Sequence, residues 1–588
     1  MTQSDQAPPG VKAGAGAATR ATPAPQGPGP SPAASASTAV VSRPRRRRRR
    51  PSGTGWVTDP RTAFTREALL ERLSGPVRSW RDYPPSLRLW FWLGPILTAA
   101  LGGVLRFVRL GEPHSLVFDE TYYVKDAYSL LQSGYERNWA KDANTAFNQG
   151  DPSQLLNTPE YVVHPPLGKW MIAWGMDLFG PGDSFGWRFS SAVVGTLSIL
   201  LMAFVAHKLF NSVVLGTIAG LLTAVDGTHL VMSRIGILDI FLEFWILVVF
   251  ACLLLDRQDG RRRLAIRLAR LSSVGHDGVP PSTALLWGPR LGFRWWRLAA
   301  AAAMGAAIGI KWSALFFLAV FGLLMVLWDM NARRVAGIRH WALAGVVRDG
   351  IPAFFLYLGT SALVYLSTWT GWFLSSNAYN RHWAEQNPGQ GVGWLPPALR
   401  SLWEYHLQAY AFHQGLSADH PYKASAWTWL VLGRPTSFYY QSPSCPGGNG
   451  KCSEAILSVG NPLIWWGAAL ALLVILFAWA GRRDWRAGAI LAGMAGGYLP
   501  WFMYPERTTF FFYAVSFEPF LILALCYALG LILGSQHDPP WRRRAGFMVV
   551  AVFLAGVLLL SAFFYPIWTA ETITYNDWHL RMWMPSWI

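Results

Sequence analysis

The chain has 588 residues, 52% of them hydrophobic, and carries a formal net charge of +18 although only 14% of its residues are charged. Its apolar runs repeatedly reach the roughly 20 residues that a helix needs to cross a bilayer, which argues against a soluble globular domain and predicts an all-α polytopic membrane protein. The excess positive charge sits mainly in arginine clusters between those runs, so it reads as a topology signal and no nucleic-acid partner is expected.

Residues 1–87 are a mixture of Pro, Ala, Ser and Gly with no short apolar core near the start, and they predict a disordered tail rather than a signal peptide. The run Arg45 to Arg50, just ahead of the first apolar segment, is expected to hold the N-terminus on the cytoplasmic, anionic face. Apolar segments follow at about 88–110, 188–208, 213–230, 237–255, 298–311, 313–329, 350–371, 462–480, 487–503, 509–533 and 547–567, which predicts about eleven transmembrane helices. With the N-terminus inside, the arginine-rich connections fall on the cytoplasmic side: Arg257 to Arg270, Arg333 and Arg334, Arg482 to Arg486, and Arg542 to Arg544.

The same layout exports 111–187 and 372–461 and leaves the C-terminus outside. It divides the chain into a tail (1–87), an N-terminal catalytic membrane module (88–371) that includes the outer loop 111–187, a second outer loop (372–461) and a C-terminal membrane module (462–588). His164 to Phe179 mixes Trp, Met, Ile and Leu with polar residues and predicts an amphipathic helix lying at the interface, where it would roof a site. Cys252 and Cys526 fall within apolar segments and read as small buried hydrophobes, whereas Cys445 and Cys452 bracket a Pro-Gly-Gly-Asn-Gly turn that a disulfide would close in an oxidising compartment.

The functional signal lies in ionisable residues beside the apolar segments. Asp119 and Glu120 follow the first, Arg188 opens the second, Arg234 and Asp239 lie between the third and fourth, Lys311 ends the fifth, and Glu506 and Arg507 sit between the ninth and tenth. All are expected at the outer face. Charges of both signs this close to hydrocarbon point to a polar cavity, the alternative for each one singly being a structural pair at a helix end. Glu243, one helical turn from Asp239, is expected to belong to a structural pair with Arg234.

Such a cavity suits transfer from a phosphate-linked donor. A carboxylate takes the proton of an acceptor hydroxyl, and cations stabilise the charge that grows on the departing phosphate. A donor whose lipid tail stays in the bilayer explains why the enzyme is embedded there, and no Gly-rich phosphate loop is present. No metal or other cofactor is expected to be required, with a divalent ion on Asp119 and Glu120 as the alternative.

Phe118-Asp119-Glu120-Thr121-Tyr122-Tyr123-Val124-Lys125 and His164-Pro165-Pro166-Leu167-Gly168-Lys169 resemble the first-loop signature of protein O-mannosyltransferases. Trp187-Arg188, Ser233 to Asp239, Gly309 to Trp312 and His420 to Trp427 resemble later motifs of that family, in the same order, so the resemblance runs from about residue 88 to the C-terminus. It implies the fold of the membrane-embedded GT-C glycosyltransferases, a polyprenyl-phosphate mannose donor, and inverting transfer to Ser or Thr hydroxyls of polypeptides leaving the secretion translocon. By the same resemblance Asp119 is the general base and Glu120 orients the acceptor or the base. Arg188 holds Asp119 or contacts the phosphate, Lys311 and Arg507 neutralise it, and His164, Lys169 and His420 shape the site.

The 372–461 loop has no room for the β-trefoil insertion of eukaryotic members. The chain therefore resembles the shorter bacterial form, and its Arg, Ala and Gly bias suits an actinobacterial plasma membrane. Trp427, Trp429, Tyr439 and Tyr440 are candidates either for gripping the acceptor or for interface anchoring. Two other readings stay open: a lipid-phosphate-sugar transferase acting on a glycan or lipid, and a transporter, which would be expected to show internal repeats that are not evident here.

Overall fold

Prolines and short polar side chains punctuate the long helices and set their lengths. Pro85 and Pro462 sit in the first turns of helices Pro85–Phe107 and Pro462–Arg482, where a missing amide proton costs little. Asp183 caps Ser184–Phe210 by accepting from the Phe185 amide, Ser212 caps Val213–Val225, and Asp484 caps Trp485–Gly497. Asn211 and Arg483, with left-handed φ values of 53° and 54°, end the preceding helices and leave two-residue turns between neighbours.

The computed structural model describes residues 64–75, 80–275, 278–446 and 450–588, all within one compact unit. Among them six helices are long and apolar enough to cross a membrane: Pro85–Phe107, Ser184–Phe210, Ala314–Val335, Trp341–Thr368, Pro462–Arg482 and Pro540–Trp568. Val213–Val225 and Glu518–Leu533 are shorter and apolar, and Asp239–Ser272, Trp295–Ile308 and Trp485–Gly497 overlap the remaining apolar segments of the sequence. Two of those segments are only partly α-helical. The 487–503 segment leaves the α-helix at Gly497 and passes into a 3-10 turn containing Pro500, and the 509–533 segment becomes α-helical only at Glu518-Pro519, after a 3-10 stretch over Phe511–Ser516.

Helix Asp239–Ser272 has 34 residues, a length of about 51 Å, which exceeds the hydrocarbon thickness. Its second half carries the arginines. Helix Arg66–Ser74 packs Leu69 and Leu73 against Leu264, Ala265 and Leu268 of that extension, so the tail expected over 1–87 does not stay unstructured to residue 87. Three apolar residues, Phe64, Leu69 and Leu73, give the segment a face to bury. Arg45 to Arg50 lie outside the described residues. Several arginines at this end are paired rather than free: Arg294 and Arg297 share Asp256, Arg297 also reaches Asp329 at 2.7 Å, and Arg333 holds Asp349 at 2.5 Å.

At the opposite end the stretch 111–187 folds into helices Glu120–Ser133 and Leu167–Phe179 around an antiparallel pair, Arg137–Trp139 with Leu155–Pro159. The stretch 372–461 contains the 19-residue helix Pro397–Gly415, which the sequence reading left as loop, and a hairpin of Thr436–Gln441 with Cys452–Ser458. Ile573–Thr574 from the C-terminal segment adds to the hairpin as a third strand. A Cys445–Cys452 disulfide closes the hairpin, while Cys252 and Cys526 are free and buried, as expected for each.

Candidate active site

Two short segments of the first loop are locked against distant parts of the chain. Helix Leu167–Phe179 approaches Ser184–Phe210 so closely that a Cβ on Gly175 would meet the Gly186 carbonyl. Its first amide, of Leu167, donates to the Gly309 carbonyl at 3.0 Å, fixing it two residues from Lys311. Phe118, just before Asp119, has a left-handed φ of 46°, an unfavourable conformation for a bulky side chain. Its ring is held edge-on by Phe438, Phe510, Phe512 and His420 at centroid distances of 5.2 to 6.0 Å.

The held backbone presents Asp119 at the start of helix Glu120–Ser133 without spending its side chain on capping. Burial, opposed by Lys311 and reinforced by Asp239, pushes the Asp119 carboxyl up to about 6. Lys311 donates to Asp239 Oδ2 at 2.7 Å, and its ammonium lies 5.2 Å from the centre of the Tyr513 ring. Burial and the nearby Asp119 and Asp239 charges hold the Tyr123 hydroxyl well above its usual range, which keeps it a neutral hydrogen-bond donor.

Lys311 and Asp239 open onto a cavity of about 310 Å³, lined also by His164, Trp312, Tyr410, His413, Gln414, Arg507 and Tyr513, with Leu242, Leu315 and Phe316 on its apolar side. Arg507 donates through Nε to the His413 carbonyl at 3.2 Å and lies over Trp501. Burial, with help from the neighbouring cations, depresses His164 well below its usual value and brings His413 down to about 4, so both are neutral near pH 7. Trp312, Leu315 and Tyr410 also line an adjacent apolar cavity, and Leu318 and Leu358 continue it into a third between Ala314–Val335 and Trp341–Thr368. A largely apolar chamber studded with a few charged and polar side chains therefore adjoins an apolar groove.

The structure brings Asp239, Lys311, Arg507 and His164 together on one cavity, sets Asp119 within electrostatic reach of Lys311 and Asp239, and assigns other work to the rest. Glu120 is fully buried. Its oxygens accept from Arg188 Nε and Nη2 and from the Gly236 amide and Val117 amide, all within 2.9 Å. Arg188 spends its remaining hydrogens on the carbonyls of Leu110, Pro113 and Ser115. It therefore neither holds Asp119 nor faces a phosphate, because Glu120 is the carboxylate within its reach, and the saturated Glu120 is not available to an acceptor hydroxyl.

Arg234 wraps the carbonyls of Leu105, Arg106, Val108 and Arg109 and so caps helix Pro85–Phe107. The expected pairing of Arg234 with Asp239 and Glu243 is replaced by Lys311 for Asp239 and by the Ser198 hydroxyl, at 2.7 Å, for Glu243. Lys169 is buried in an ion cluster with Glu136 and Asp126, away from the cavity. His420 touches the site only through its ring, against Phe118 and Phe510.

Tyr410, His413, Gln414 and Tyr513 were not singled out from the sequence, and Trp312 entered only as the end of the Gly309 to Trp312 motif. His406, Tyr410 and His413 recur at helical spacing and were the available signal for the first two. The pairing of Glu120 with Arg188 means that Asp119 and Glu120 do not share an ion between them. Among the described residues no group of three or more His, Cys, Asp or Glu side chains is placed to hold a metal.

The chain as a whole resembles known proteins over most of its length. Residues 398–587 match the family model of the C-terminal four TMM region of protein-O-mannosyltransferase, and residues 163–269 match that of dolichyl-phosphate-mannose-protein mannosyltransferase. The polyprenol-phosphate-mannose–protein mannosyltransferase of Mycolicibacterium smegmatis (strain ATCC 700084 / mc(2)155) is 37% identical over 540 residues, covering 90% of this chain and 99% of that one. The protein of the same name from Mycobacterium tuberculosis (strain ATCC 25618 / H37Rv) is 35% identical over 528 residues, covering 87% and 95%. In fold, the chain is similar to the Saccharomyces cerevisiae protein O-mannosyltransferase Pmt1-Pmt2 complex bound to the sugar donor, with a TM-score of 0.59, 16% identity and coverage of 85% and 92%. The helical membrane architecture is that of the GT-C glycosyltransferases, and the chain belongs to the protein O-mannosyltransferase family.

Proposed function

We infer that the protein transfers mannose from polyprenyl-phosphate mannose to Ser or Thr hydroxyls of polypeptides, with inversion at the anomeric carbon. The observation that carries this reading is the chamber that gathers the Lys311–Asp239 pair, Arg507, His164 and His413 and adjoins an apolar groove, with the Asp119 carboxyl within electrostatic reach of Lys311 and Asp239. The acceptor hydroxyl gives its proton to Asp119 as its oxygen forms the bond to C1 of mannose. The bond from C1 to the phosphate oxygen breaks, and the electron pair leaves with the polyprenyl phosphate. A single displacement of this kind inverts the anomeric centre. Lys311 and Arg507 stabilise the phosphate charge as it grows, and the neutral His164 and His413 offer hydrogen bonds without competing for the proton.

The polyprenyl chain lies along the groove beyond Trp312 and Leu315. By the positive-inside rule the chamber faces the outside of a bacterial plasma membrane, and the arginine-rich helix ends face the cytoplasm. Acceptors then reach the chamber as they leave the translocon, and no metal is required. The test is transfer of labelled mannose from polyprenyl-phosphate mannose to a Ser/Thr-rich peptide by the purified protein in lipid, with Asp119→Asn alongside and chelator and divalent ions both tried. Transfer by the parent that is lost in a folded Asp119→Asn supports the reading. No transfer by the parent under any of these conditions overturns it in favour of a different sugar or a lipid acceptor.

A further inference from the structure

The far ends of the same helices enclose a second cavity, of about 670 Å³, bordered by the end of Ser184–Phe210, the middle of Asp239–Ser272, and the turns near Trp485 and Gly534. Along helix Asp239–Ser272 it begins at Leu254, and its Arg257 lies 18 residues from Asp239, about 27 Å away and so close to the thickness of the bilayer from the chamber that Asp239 lines. Lys208, Arg257, Arg261 and Arg486 face it. Of these, Arg486 is neutralised by Asp484 at 2.7 Å.

The two arginines of the long helix are not neutralised in this way. Arg261 is only 6% exposed. One of its terminal nitrogens donates to the Leu73 carbonyl, while its Nε and Nη2 are buried without a partner. The Arg257 guanidinium lies 3.4 Å from the centre of the Trp485 ring, and its Nε is likewise buried without a partner. Among the described residues, four carboxylates near the two arginines pair with other cations: Asp256 and Asp329 with Arg294 and Arg297, Asp259 with Arg263, and Asp484 with Arg486. A buried guanidinium and a half-buried one beside it, with no ion pair among the described residues, are costly, and an anion in the cavity lowers that cost. Guanidinium forks suit phosphate oxygens, and the cavity rim carries the apolar Leu87 and Val214, the latter on the exposed helix surface.

We propose that this cavity binds the phosphate headgroup of an anionic phospholipid, with Arg257 and Arg261 as its ligands and the acyl chains lying against Leu87 and Val214. The shared chemistry is a phosphate oxygen accepting from a guanidinium, and the apolar rim selects a lipid over free phosphate. The site is separate from sugar transfer and stands whether or not the proposed reaction is correct.

The full-length protein, delipidated in a neutral detergent, is titrated with phosphatidylglycerol, phosphatidylcholine or inorganic phosphate while thermal unfolding and lipid retention by native mass spectrometry are followed. Phosphatidylglycerol is expected to raise Tm and to remain bound at one site per chain, with phosphatidylcholine and inorganic phosphate ineffective. Arg261→Gln and, separately, Arg257→Gln are expected to weaken the phosphatidylglycerol response about five- to tenfold. Arg257 is held by an aromatic face rather than by a backbone carbonyl, so its variant serves if Arg261→Gln does not fold. Equal responses to the two lipids, or a phosphatidylglycerol response unchanged in the folded variants, overturns the proposal. A response to inorganic phosphate alone that depends on the same arginines overturns the lipid assignment in favour of a soluble anion.

Discussion

The loop 111–187 and the chamber beside Lys311 hold similar sets of charges to opposite ends. In the loop the charges close on one another: Glu120 with Arg188, and Lys169 with Glu136 and Asp126, all buried and hydrogen bonded. At the chamber the closure is partial: Lys311 pairs with Asp239, but the nearby Asp119 is raised to about 6 and Arg507 meets the His413 carbonyl and the Trp501 ring rather than a carboxylate. Adjacent carboxylates, Asp119 and Glu120, fall on the two sides of this divide. Closed pairs fix a shape, whereas the underpaired groups keep capacity for a proton and a phosphate.

Substitutions can break that contrast. Asp119→Asn is expected to lower kcat by about 10³-fold through loss of the base. Its effect on stability has the opposite sign. A carboxyl raised from 3.8 to about 6 by folding favours the folded state below pH 4, and that contribution is lost as pH rises through 6. Above pH 6 the buried carboxylate is a burden, so the amide should stabilise the protein by about 1–2 kcal/mol at pH 7, allowing for partial exposure. Thermal unfolding beside transfer assays checks both.

Lys311→Met should cost about 10²-fold in kcat and also leave Asp239 buried without its partner, lowering Tm. In the parent, kcat/KM should fall about tenfold per pH unit below about 6, because the base must be ionised, and stay level above it; a profile flat down to pH 4.5 would remove Asp119 from the role. Glu120→Gln sharpens the comparison from the other side. It should destabilise by about 3 kcal/mol while the folded fraction retains most of its kcat. The smallest effect is expected from Cys445→Ser with Cys452→Ser, a loss of at most about 2 kcal/mol confined to the hairpin, with transfer unchanged.

Apolar length was enough to place at least part of a helix over each segment read from the sequence, because transbilayer hydrophobicity is a local property, although among the described residues only six of these helices are long and apolar enough to cross a membrane. What escaped was set by partners far away in the chain. Arg188 and Arg234 look alike on paper as helix-end cations, yet one meets a carboxylate 68 residues earlier and the other a row of carbonyls at the end of Pro85–Phe107. Charge type and membrane depth cannot distinguish them. Helix Pro397–Gly415 was missed because its mixed, aromatic-rich surface falls short of a membrane segment, and His413 was missed with it. The helix Arg66–Ser74 was missed because its apolar face is only three residues wide and acquires meaning against Leu264 and Leu268.

The grip on Phe118 has a temporal consequence. Asp119 is made early in synthesis, but the rings that hold the preceding residue in its left-handed turn come from His420, Phe438, Phe510 and Phe512, some 300 to 390 residues later. A nascent or truncated chain ending before that point owns the carboxylate without its aim. An unfinished chain inserted in the membrane is therefore expected to stay inert toward the lipid-linked sugar around it until those C-terminal rings are in place.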